Sequence, residues 1–154
     1  MSFDAKIKEL GLVLPPAPKP MGVYRPVVVA GGMIYVSGHG PLKPDGSLVT
    51  GQVGADLDTA MGYDAARITG LAVLASLQAE LGSLDRIGRI VKTLGMVNST
   101  PDFTEHPKVI NGFSELMVEV FGPEAGRGAR SAVGLVALPG NIAVEVEVIF
   151  ELKS

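Results

Sequence analysis

The sequence predicts an α+β domain in which two helices cover one face of a mixed β-sheet. Two kinds of pattern carry that expectation. Residues from about Asp56 to Leu81 and from His106 to Phe121 repeat apolar side chains every three or four positions, as a helix covering a core does. The remaining apolar segments are short and Val-rich, and they are punctuated by Gly, Pro and Asn, as strands joined by turns are.

Taken in order, Phe3, Ile7 and Leu10 have helical spacing over residues 3–10, and LPPAPKP (14–20) stops that helix because proline lacks a donor. Residues 1–21 thus read as a helix and proline-rich arm leading into one domain, 22–154. YRPVVVAGGMIYVSG (24–38) predicts a hairpin turning at Gly31-Gly32. GPLKPDG (40–46) is a loop, and Ser47–Val53 is a short strand or extended segment, the third strand before the first long helix. In the first long helix Leu57, Met61, Ala65, Ile68, Ala72, Ala75 and Ala79 share a face. Leu84–Ile87 connects it to a strand at about 90–97. The second long helix buries Ile110, Phe113, Met117 and Val120. GPEAGRGA (122–129) is a glycine-rich loop that lacks Gly-Lys-Ser/Thr and precedes a strand, so it is no phosphate loop.

The last segment, GARSAVGLVALPGNIAVEVEVIF (128–150), reads as two strands around a turn at Leu138–Asn141. Alternation places Val144, Val146, Val148 and Phe150 toward the helices, with Glu145 and Glu147 on the helix-free face. A regular hairpin sets Gly134 opposite Glu145. It also places Arg130, Ala132, Gly134 and Val136 on the glutamates' face, with room for a small anion beside Glu145. An Arg–Glu contact between subunits accounts for the same pattern.

Composition narrows the function. With 47% hydrophobic and 19% charged residues and a mean hydropathy of +0.35, the chain carries more apolar surface than one small domain readily hides, which points to self-association. A net charge of −3 and 5% aromatic residues supply neither a basic groove nor a stacking platform, so nucleic-acid binding is not expected. The apolar runs are too broken to span a membrane. No cysteine is present and two histidines make no ligand cluster, which excludes thiol chemistry and gives no metal site. The start MSFDAKIKELG lacks a signal-peptide pattern, and a reducing cytoplasm is the expected location.

IYVSG (34–38), IVKTLGMVNS (90–99), VINGFSELMVEVFG (109–122) and above all ARSAVGLVALPGNIAVEVEVI (129–149) resemble the reactive intermediate deaminase family, also called YjgF-like or endoribonuclease L-PSP. The likeness covers about residues 22–150. It implies a chorismate-mutase-like fold, a homotrimer whose sheets form a barrel, and ligand clefts between subunits. It further implies hydrolysis of small reactive enamines or imines to 2-oxo acids and ammonia without metal or organic cofactor. By the same resemblance Arg130 grips the substrate carboxylate and Glu145 positions water or moves a proton. Tyr24, Ser37 and Asn111 line the pocket. His39, where glutamine is common, and Ala132, where cysteine is frequent, are candidate pocket residues beside Gly134. An imidazole at 39 can hold an anion, accept a proton or close the loop. Two other functions fit the pattern: a trimeric protein that binds a small carboxylate for regulation, and a ribonuclease, which the absent basic groove disfavours.

Overall fold

Gly31 and Gly32 adopt φ of 58° and 76°, the mirror-image turn that joins twisted antiparallel strands and that side chains resist. They link β1 (Val27–Ala30) to β2 (Met33–His39) in the expected hairpin, with Ala30 opposite Met33. The computed structural model describes residues 2–154. Helix α1 (Phe3–Glu9) is capped by Ser2. It is docked rather than free: Ile7 is buried, Phe3 meets Phe121 edge-on at 4.8 Å, and Asp4 accepts from the Ser83 hydroxyl and the Leu84 N–H.

Helix α2 (Thr59–Leu81) begins where Asp58 accepts the Met61 N–H at 2.8 Å and ends at Gly82 in the left-handed region. Its buried stripe coincides with the expected one in part: Ala65, Ala72 and Ala75 are buried as expected. Gly62, Ala66, Gly70, Val73 and Leu77 face inward, whereas Met61 is 51% exposed and Ala79 is also exposed. In a helix this rich in Ala and Leu the periodicity is compatible with several faces, and the neighbour decides. That neighbour is α3 (His106–Ala125), which bears Gly112 against α2, where an added Cβ would lie 2.0 Å from the Tyr63 carbonyl oxygen. Ile110, Phe113, Met117 and Val120 are buried as expected. Gly122 (φ 86°, ψ 168°) interrupts α3, and Pro123–Ala125 make one more helical turn. The glycine-rich segment is therefore helical in its first half rather than a loop from 122 onward.

The sheet corrects the expected C-terminal hairpin. Strand β3 (Ile87–Asn98) is followed by α3, and this crossover returns the chain so that β4 (Ala129–Leu135) lies parallel to β3, Arg130 beside Thr93. Strand β5 (Val144–Leu152) then enters on the other side of β3, antiparallel, and pairs with β2 along its far edge. The order is β1-β2-β5-β3-β4. Strands β4 and β5 never pair, because a helix crossover delivers a parallel neighbour and the link around Leu138–Asn141 steps over the end of β3. Gly140 and Asn141 turn that link with φ of 61° and 60°, and Asn98 donates to Asn141 Oδ1. The stretch 47–53 forms no sheet strand and makes only isolated bridges, such as Thr50 to Ile142.

Both long helices lie on one face, α2 over β2 and β5 and α3 over β3 and β4. Val144, Val146, Val148 and Phe150 are buried beneath them, and Glu145 and Glu147 project from the other face. No helix among the described residues is long and apolar enough to cross a membrane.

Candidate functional site

The intervening strand reverses the expected placement of Arg130. Residues in register share a face. Thr93 stands between Arg130 and Val148, whereas Met96 stands between Val133 and Glu145. Arg130, Ala132 and Gly134 therefore belong to the helix face and Val133 to the glutamates' face. Within one protomer Arg130 and Glu145 lie on opposite faces of the sheet. Gly134 opens no space beside Glu145 either; a Cβ there would strike His106 Nε2 and Ser99 Oγ. Ala132 packs against the core.

On the helix face Arg130 occupies a cleft of about 510 Å³ between α3 and the β3–β4 edge. Its Nη1 donates to Asn111 Oδ1 at 2.8 Å and to Ser114 Oγ at 3.1 Å. Both partners are neutral, and Arg130 forms no ion pair among the described residues. A half-buried guanidinium held in this way is fixed in direction while its charge stays available to an anion. Ser114 escaped the sequence reading, although its position three residues after Asn111 puts both on one side of α3.

On the open face Glu145 is half-buried over β2. The β2–β5 register breaks between Val36 and His39, so that Ser37 and Gly38 bulge there. Bulges bend a strand and re-aim side chains. A Cβ on Gly38 would come within 2.3 Å of Glu145 Oε2, so the missing side chain makes the notch in which this carboxylate sits. The reason for the Ser-Gly pair is a steric one that only the tertiary register reveals. Burial raises the Glu145 pKa above the ordinary value of 4.5, and the neighbouring Glu147 charge raises it further. Ser37 donates its hydroxyl hydrogen to the Arg25 carbonyl at 2.6 Å, and the Tyr24 hydroxyl accepts the Met21 N–H at 3.1 Å. These bonds hold the segment before β1 against the bulge.

His39 stands apart from both faces of the site. It is buried under α2, with Nδ1 2.6 Å from the Ser37 carbonyl and Nε2 2.8 Å from Ser76 Oγ. A carbonyl only accepts, so Nδ1 carries the hydrogen and Nε2 accepts from Ser76. Both ring nitrogens are thus engaged by groups of the fold itself. Burial lowers its pKa below 6.5, against the opposing pull of the Ser37 carbonyl. The unfolded chain then binds more protons near and below pH 6.5, and stability falls as pH drops through that region. In His39→Gln this part of the decline is expected to vanish, read as the denaturation midpoint between pH 7.5 and 5. An unchanged pH dependence would contradict the assignment.

Fold and site together define a chorismate-mutase-like α+β domain with an arginine cleft on one face of its sheet and a carboxylate notch on the other. The chain belongs to the YjgF family: the model described as "YjgF/chorismate_mutase-like, putative endoribonuclease" matches residues 4–152, including α1 and the proline-rich arm. The chain is 45% identical over 150 residues to Protein TCP17 of Trypanosoma cruzi, covering 97% of this chain and 94% of that one. It is 30% identical to the "Putative regulator AldR" of Lactococcus lactis, covering 90% and 94%. A crystal structure of a "putative endoribonuclease" from Shewanella oneidensis MR-1 superposes with a TM-score of 0.94 at 34% identity, covering 99% of this chain and 100% of that one.

Proposed function

We propose that the protein is a homotrimer that hydrolyses small reactive 2-imino or enamino acids to 2-oxo acids and ammonia, at sites shared between neighbouring protomers. The observation that carries this reading is the separation of Arg130 from Glu145 on the two faces of one sheet. Groups that cannot meet within a protomer can meet across a subunit boundary. The open face supports such a boundary. Val28, Tyr35 and Val133 are each more than 40% exposed there, and Val28, Tyr35, Ile149 and Lys92 form one row across four strands. A water-facing sheet surface this apolar calls for a partner.

The chemistry follows from the two half-sites. The Arg130 fork takes the substrate carboxylate, with Asn111 and Ser114 fixing its plane. Glu145 of the adjacent protomer accepts a proton from water as the water oxygen bonds to the imine carbon. The same carboxyl returns that proton to nitrogen, giving a tetrahedral carbinolamine. It then moves the carbinolamine's hydroxyl proton to nitrogen as the carbonyl forms and the carbon–nitrogen bond breaks, releasing ammonia and a 2-oxo acid. A raised pKa suits a group that must both take and give a proton. Tyr24 and Ser37, beside the bulge, line the carboxylate half.

Purified protein mixed with freshly generated 2-aminoacrylate is expected to accelerate release of pyruvate and ammonia. No acceleration over buffer with several amino-acid-derived imines would overturn the reading. Likeness to AldR favours a second one, in which the same cleft binds a 2-oxo acid for regulation. Saturable binding without turnover is its signature. Ribonuclease activity, suggested by the Shewanella relative's description, finds no basic groove on a chain of net charge −3.

A further inference from the structure

We propose that the cleft selects substrates carrying a second carboxylate, the 2-imino acids derived from acidic amino acids, and that Arg127 is the residue that recognises it. The inference rests on the small-carboxylate reading of the Arg130 cleft and extends it to the rest of that space. A three-carbon acid held by Arg130 leaves most of about 510 Å³ unfilled, a size that accommodates considerably larger ligands.

The charges lining the remainder decide what fits. Glu119 is taken up by Arg67 of α2 in a two-pronged pair at 2.9 and 3.1 Å. Glu115 accepts the Tyr63 hydroxyl. Arg127 lines the same cleft as Arg130, and neither forms an ion pair among the described residues. The Glu119 charge is thus taken up by α2 and Glu115 is turned toward Tyr63, while two guanidinium groups line the space without an ion pair of their own among the described residues.

Arg127 is also presented from a fixed backbone. A Cβ on Gly126 would lie 2.4 Å from the Met117 carbonyl oxygen, and one on Gly128 2.9 Å from the Val91 carbonyl oxygen. The flanking glycines press the chain against α3 on one side and β3 on the other, and the Gly126 N–H donates to the Gly122 carbonyl at 2.8 Å. A segment held this closely can set the distance between two anion-binding groups, which a flexible loop cannot.

The test compares stable product-like ligands by calorimetry on the intact protein: 2-oxobutanoate, 2-oxoglutarate, and a 2-oxo acid ending in a guanidino group. 2-Oxoglutarate is expected to bind about tenfold more tightly than 2-oxobutanoate. In Arg127→Ala the ratio of those two affinities should fall to about one, and Arg127→Lys should retain part of it. Equal affinities in the unaltered protein, a ratio that survives Arg127→Ala, or tightest binding of the guanidino acid would each overturn the inference. If none of the three binds, the small-carboxylate reading of the cleft fails, and this inference fails with it.

Discussion

Arg130→Ala is expected to weaken binding of 2-oxo acids by about a hundredfold or more, because the ligand's carboxylate then loses the guanidinium that Asn111 and Ser114 hold in place for it. Arg130→Lys should recover little. An ammonium cannot reproduce the planar fork, and its shorter reach separates it from Asn111 and Ser114. Those two side chains point the guanidinium into the cleft, so the same titrations on Asn111→Ala should give a smaller loss in the same direction. Affinity unchanged in Arg130→Ala would remove the arginine from ligand recognition and, with it, the chemical role of the cleft.

The largest effect on stability is expected at Gly112. Its missing side chain lets α3 lie against the α2 backbone, and an added methyl would stand 2.0 Å from the Tyr63 carbonyl oxygen and 3.1 Å from the Arg67 nitrogen. Those are backbone atoms that cannot rotate aside, so the helices must separate. Overpacking of this kind costs about 3 kcal/mol or more, against a gain of about 1 kcal/mol in helix propensity. The expected net result is a fall in Tm of roughly 5–10 °C at fixed protein concentration. Gly22→Ala is the control. Its added carbon would meet only the Tyr24 ring at 3.7 Å, and a change within about 0.5 kcal/mol is expected. Equal Tm values for the two variants would show that the close approach at Gly112 is not a stability determinant.

How much was legible in the sequence depended on whether a feature is local. The Val–Glu alternation of β5 is a property of one strand, so the burial of Val144, Val146, Val148 and Phe150 and the outward turn of Glu145 could be read directly. The Gly31-Gly32 hairpin is equally local. The partner of β4 is not. The stretch Leu138–Asn141 has the composition of a hairpin turn whether the two strands meet or a third lies between them, and only the position of β3 decides. That one ambiguity moved Arg130 and Gly134 to the other face. The space beside Glu145 was sought at Gly134 and is supplied by Gly38, a residue more than a hundred positions away whose role appears only when β2 meets β5. Part of the inward face of α2 was similarly hidden, since Gly62, Ala66 and Gly70 acquire meaning only from the approach of α3. Family resemblance named Arg130, Asn111 and Glu145 without fixing which face each would take.

The central claim is that a working site joins Arg130 of one protomer to Glu145 of another. Arg130→Ala and Glu145→Gln, each inactive alone toward 2-aminoacrylate, can be co-expressed with different tags and purified as mixed assemblies. In a trimer that holds both variants, in either ratio, one of the three shared sites receives both intact residues, so about a third of the unaltered protein's ammonia release should return. Mixed assemblies no more active than the average of the two single variants would contradict a shared site.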